Sequence, residues 1–191
     1  MLSAIIATHE SERALVPTLA ALVPAVTTGL LREVIVADAA SSDATAEVAD
    51  IAGCRFISSR EPLGVRLKAA AGAARAPWLL FLRAGTVPGP GWTAVAERFI
   101  QDSNLADRPR AAVFRSAGAA DLMRPGLAEI LAMLRVALGG GPRPEQGLLI
   151  ARRLYDALGG HAGADDAETA LLRKLGRRRI AVLAAGAGVS R

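Results

Sequence analysis

With 191 residues, 52 % of them hydrophobic, the chain has ample apolar material for one folded core and too much for a disordered segment. Only 4 % of residues are aromatic, so Ala, Leu and Val carry the hydrophobicity, and no run approaches the roughly 18 apolar residues of a membrane-spanning helix. Lys and Arg number 23 against 18 Asp and Glu, a net charge of +5 that attracts anions, yet no basic stretch interleaves with aromatics, which argues against nucleic acid as a partner.

The opening MLSAIIATHE has no basic region before its apolar run, unlike a signal peptide, so a cytoplasmic location is expected. The basic cluster Arg177, Arg178 and Arg179 allows for peripheral contact with a membrane as well as for a plain solvated surface. The lone Cys54 has no partner for an internal disulfide and reads as core packing.

Leu2 to Ala7 is a first strand, followed by a helix over Glu12 to Ala25 with Leu15, Leu19, Leu22 and Val23 on one face. Strands at Glu33 to Asp38, Cys54 to Ser58 and Trp78 to Leu82 alternate with helices near Asp43 to Ala52 and Val65 to Arg75. Pro88, Gly89, Pro90 and Gly91 break the chain before a helix at Trp92 to Ser103. Ala111 to Arg115 reads as a strand, Leu122 to Leu138 as a helix starting near Pro125 and Gly126, and Gly139, Gly140 and Gly141 as its end. Gly147 to Ala151 is a further strand, then come a short helix to Leu158, a helix from Asp165 to Leu175 and a last strand near Ile180 to Ala184. The alternation predicts a three-layer α/β/α fold with a mainly parallel sheet, and no linker or repeat divides residues 1–191 into two domains.

Right-handed crossovers place the C-terminal ends of these strands on one rim, so Thr8, Glu10, Asp38, Asp43 and Arg83 are expected to share a cleft there. Asp38 ends a strand, where a carboxylate can accept hydrogen bonds from a ribose or a base. Asp43, just before Ala44 and Thr45, serves either as a helix N-cap or as a ligand contact. His9 fits a turn as well as a ligand contact, and His161 reads as a loop residue in preference to an acceptor contact.

Four segments in order, IIATHES, EVIVADAASSDAT, LGVRLKAAAGAARAPWLLFLRAGT and QGLLIARRLYDALGG followed by DDAETALLRKLG, together resemble a small family-2 glycosyltransferase of the GT-A fold over residues 2 to 184. The resemblance implies transfer of a sugar, with inversion, from a nucleoside diphosphate sugar to a sugar or lipid-linked acceptor. It assigns Thr8, Glu10 and Asp38 to the nucleoside and a helix-opening carboxylate, Asp165 or Asp166, to the catalytic base. It also implies Mg²⁺ or Mn²⁺ held by Asp after the fourth strand, but the chain has Arg83-Ala84-Gly85 there, which leaves no metal carboxylate. Arg83 either faces the diphosphate in place of the metal or fills a decayed site, so a decayed member that binds a nucleotide or a protein partner is the alternative reading. Family glycines are replaced by Ala39, Ala40 and Ala44, and alanine disfavours the positive φ that glycine permits.

Overall fold

The structure is a computed structural model, and it describes residues 1–106, 109–116 and 142–189. The helix expected at Leu122 to Leu138, with its Gly139 to Gly141 end, lies outside the described residues.

The elements, in chain order, are β1 (Leu2–Thr8), α1 (Glu12–Thr27), β2 (Leu31–Asp38), α2 (Thr45–Ile51), β3 (Arg55–Ser58), α3 (Leu63–Ala73), β4 (Trp78–Arg83) and β5 (Thr86–Pro88). After these come α4 (Trp92–Leu105), β6 (Ala111–Ser116), β7 (Leu148–Ala151), α5 (Arg152–Ala157), α6 (Ala167–Leu175) and β8 (Ile180–Val189). One sheet runs in the order β3-β2-β1-β4-β7-β6-β8-β5. The first four of these strands are mutually parallel, as the alternation of strands and helices requires. Beyond β4 the sheet is mixed: β7 is antiparallel to β4 and β6, β8 is parallel to β6, and β5 is antiparallel to β8.

Leu2, Ile5, Ile6, Ile35, Leu79, Leu80 and Leu82 are fully buried in the central strands, so the core lies where helices cover both faces of the parallel half. Helix α1 buries Leu15, Thr18, Leu22 and Ala25, and leaves Val23 exposed against expectation, because Thr18 and Ala25 hold the inner face. The Thr18 hydroxyl explains its burial: it accepts a hydrogen bond from Gly85 N (2.9 Å) and ties α1 to the turn after β4. The Trp92 indole donates to Ala21 O (2.8 Å) and ties α4 to the same helix.

Candidate active site

The register sets the site. Asp38 pairs with Thr8 on one side and Ser58 on the other, while Arg83 pairs one residue earlier, with Ala7. In-register residues share a face of the pleat, so Thr8, Asp38 and Ser58 point to one side of the sheet edge and Arg83 to the other. These strand ends lie along one rim, and the Asp38 and Arg83 side chains approach it from opposite faces.

Asp38 is completely buried and its carboxylate accepts from the Thr8 hydroxyl (2.8 Å), Ser41 N (2.8 Å), the Ser41 hydroxyl (2.6 Å) and the Ser58 hydroxyl (3.2 Å). Burial pushes its pKa up, but the bonds from Ser41, Thr8 and Ser58 together outweigh that and hold it below the ordinary value. An ionised carboxylate thus organises the loop after β2. Glu10, in the loop after β1, closes over that loop: its N–H donates to the Ser41 hydroxyl (2.9 Å), and its carboxylate accepts from Ser42 N (2.8 Å). Two non-glycine residues here have left-handed backbone, Glu10 at φ 48° and Ala40 at φ 58°, so one of the alanines standing for a family glycine does sit where glycine is favoured.

Asp43 acts at helix N-termini. It accepts from Thr45 N (3.0 Å) at the start of α2 and from Glu12 N (3.0 Å) at the start of α1, while the Glu12 carboxylate returns a contact to Ala44 N (3.2 Å). These bonds use the carboxylate to join the starts of α1 and α2, although Asp43 stands one residue before the N-cap position of α2, which Ala44 occupies. His9 forms a turn with Ser11, its N–H donating to the Ser11 hydroxyl (3.0 Å) and its carbonyl accepting from it (2.9 Å).

Arg66 of α3 did not stand out in the sequence, yet it is buried behind this rim. It donates to Ala37 O (2.7 Å), Thr8 O (3.4 Å) and Glu61 O (3.1 Å), and so locks the ends of β1 and β2 to α3. Burial lowers its pKa, and the charges of Asp38 and Asp165 oppose that shift.

On the other face of the rim, Arg83 meets Glu168 of α6. Nε and Nη2 both donate to Glu168 Oε2, the first at 2.8 Å, and Nη1 lies 3.9 Å from Glu145 Oε1. Burial disfavours the guanidinium charge, but Glu168 and Glu145 overcome that and raise its pKa, so Arg83 is cationic at any working pH. Glu168 is the residue sequence reading missed. It lies on the stripe of Leu171, Leu172 and Leu175, and a carboxylate on an apolar helical stripe was the available signal.

A divalent cation does not fit this arrangement. Mg²⁺ and Mn²⁺ need hard oxygen ligands, and the end of β4 instead presents a guanidinium that already neutralises the nearest buried carboxylate. No group of three or more His, Cys, Asp or Glu is placed to hold a metal ion among the described residues.

Asp165 and Asp166 are both exposed before α6, and Asp165 Oδ1 accepts from Leu63 N (3.2 Å), the first residue of α3. Its other oxygen accepts no hydrogen bond from the described residues, so Asp165 both anchors a helix start and faces solvent. His161 corrects the sequence reading: it is buried, not a solvated loop residue, and packs edge-on against Phe81 at 4.7 Å between ring centroids. The Tyr155 hydroxyl accepts from His161 N (3.2 Å) and shares a hydrogen bond with His161 Nδ1 (2.9 Å). Burial pushes the His161 pKa down to about 4 and that of Tyr155 up to about 12.

A parallel sheet with loops gathered at its C-terminal edge, a buried Asp at the end of its second strand and an antiparallel extension beyond β4 define a protein of the GT-A glycosyltransferase fold. A family model described as glycosyl transferase family 2 matches residues 3–112, and the chain belongs to that family. Among solved structures, glucosyl-3-phosphoglycerate synthase from Mycobacterium tuberculosis with Mn²⁺, UDP and glucosyl-3-phosphoglycerate matches at a TM-score of 0.69 and 23 % identity, over 99 % of this chain and 70 % of that one. Its complex with Mg²⁺ and UDP matches at 0.70 and 23 % over the same shares. A further structure of that synthase matches at 0.70 and 22 %, over 100 % of this chain and 72 % of that one. No match was found among curated proteins.

Proposed function

We propose that the chain transfers a glycosyl group from a nucleoside diphosphate sugar to an acceptor hydroxyl, with inversion. The observation that carries this reading is the ionised, fully buried Asp38, held with Thr8 at the strand ends of a glycosyl transferase family 2 chain and organising the loop through Ser41. The similar M. tuberculosis synthase, solved with UDP and with UDP-glucose, supports a nucleoside diphosphate as the donor's carrier. Thr8, Glu10 and Asp38 then form the nucleoside end of the site, and Arg83 lies toward the diphosphate.

The acceptor oxygen attacks the anomeric carbon from the side opposite the diphosphate, the bond from that carbon to the phosphate oxygen breaks, and its electron pair leaves with the nucleoside diphosphate. The acceptor's proton passes to a carboxylate, for which the second oxygen of Asp165 is the first choice and Asp166 its neighbour. A lipid-linked acceptor suits the exposed Arg173, Lys174, Arg178 and Arg179 around the end of α6, which would draw the protein to an anionic surface.

A second reading, a nucleotide-binding module without turnover, is favoured by the use of Asp165 Oδ1 at the start of α3. Calorimetric titration with UDP, GDP and their sugar conjugates tests both. Binding that is lost in Asp38→Asn supports the donor site, and no binding of any nucleotide removes both readings. Slow hydrolysis of the bound sugar donor that falls in Asp165→Asn supports the enzyme; tight binding with no hydrolysis and no transfer to any acceptor supports the module.

A further inference from the structure

A guanidinium has two hydrogen-bonding edges, and Arg83 commits only one of them. The side edge, Nε with Nη2, is taken by Glu168. The end edge, Nη1 with the second N–H of Nη2, has no hydrogen-bond acceptor among the described residues: Glu145 Oε1, at 3.9 Å from Nη1, is beyond hydrogen-bond reach. The Glu168 side chain is only 10 % exposed while that of Arg83 is 41 % exposed, so a largely buried carboxylate anchors a guanidinium side chain that stays partly open to solvent.

We propose that the open edge of Arg83 holds a phosphate of the donor's diphosphate, in the position where a divalent cation does not fit, with Glu168 as the residue that positions it. The inference rests on the nucleoside diphosphate sugar reading above and adds that donor binding needs no divalent cation. Two parallel N–H groups match two phosphate oxygens, and a fixed charge that never deprotonates stabilises the negative charge that gathers on the leaving diphosphate. Glu145 is half-exposed and near the same edge, so it competes weakly with the phosphate.

Titration calorimetry in EDTA and in Mn²⁺ or Mg²⁺ tests this, with UDP, GDP, uridine, guanosine and inorganic pyrophosphate as probes. The diphosphates should bind equally in both conditions. Arg83→Ala should weaken them on the order of 10- to 100-fold, the weight of charge-assisted hydrogen bonds, and leave the nucleosides unchanged. Glu168→Ala should approach that loss and Glu168→Gln, which keeps an acceptor oxygen, should recover part of it. The diphosphate-to-nucleoside ratio is the reading that a purely structural role for Glu168 would not move. Glu145→Gln should tighten diphosphate binding, and the gain should vanish when combined with Arg83→Ala; this exposed position keeps the test open if an Arg83 variant folds poorly. Diphosphate binding that requires the cation and ignores Arg83→Ala and Glu145→Gln overturns the proposal while the donor reading stands. Failure of nucleosides and diphosphates to bind in any condition overturns both.

Discussion

Gly64, the second residue of α3, lies against the carbonyl oxygen of Ala162: a Cβ at position 64 would fall 1.6 Å from that atom and 2.7 Å from Cβ of Ala167. Here the start of α3 meets the loop that carries Asp165, and Gly64 N donates to Ala164 O (3.2 Å). Gly64→Ala should therefore destabilise the fold by about 3 kcal/mol, at the upper end of overpacking costs, because the clash is with backbone that cannot rotate away. Gly72 of the same helix has nothing within 4 Å of its Cβ position, so Gly72→Ala should stabilise by about 0.5–1 kcal/mol through helix propensity alone. Urea unfolding of the two variants checks the pair, and a shift of the same sign in both would refute the close contact.

Ala40 is exposed and held at φ 58°, where an L residue with a Cβ is disfavoured. Replacing it with glycine loses no buried surface, so Ala40→Gly should stabilise by about 1 kcal/mol despite the added freedom of the unfolded chain. The same change in a residue without that backbone, Ala39→Gly, should destabilise. Thermal melts of both variants decide it, and equal losses would mean that the loop carries no strain at position 40.

The parallel half was legible because its strands are continuous apolar runs and its helices carry a spaced apolar face. What escaped was set by tertiary contact. Strand β5, Thr86–Pro88, is three residues long and ends in proline, so it exists only because β8 lies beside it. Strand β8 runs to Val189, past the expected Ala184, through an alanine- and glycine-rich stretch with little strand preference of its own, and pairing with β6 and β5 on either side holds it. In the site, Asp38 was visible from its place at a strand end. Arg66 was not, and Glu168 showed only as a carboxylate on an apolar stripe, because the partner that fixes each role, a strand-end carbonyl or Arg83, is brought up from distant sequence.

Arg152, at the start of α5, donates from Nε to Ala76 O (3.1 Å), from Nη1 to Ala71 O (2.9 Å) and from Nη2 to Ala74 O (2.7 Å). These carbonyls belong to the last turn of α3 and the link into β4, and one planar cation satisfies all three. Arg152→Ala should cost about 2–3 kcal/mol, and Arg152→Lys should recover little of it, because a single ammonium cannot reach three divergent acceptors. Denaturant midpoints of the two variants test this; full recovery by lysine would show that charge alone matters there.

His161 makes stability depend on pH. Its pKa is lowered to about 4 by burial, against about 6.5 when exposed, so between these values the unfolded chain binds a proton that the folded chain does not. Stability is therefore full above about pH 6.5, falls as pH drops through that window and is lower by up to about 3 kcal/mol near pH 4. Asp38 and Asp43, held below the ordinary carboxylate value, lose their contributions beneath this window. His161→Gln keeps an acceptor for the Tyr155 hydroxyl but has no proton to take up, so it should flatten the slope between pH 4 and 6.5 while leaving any slope below it. Unfolding free energies of both proteins across that range provide the check, and an unchanged slope in the variant would assign the dependence to another group.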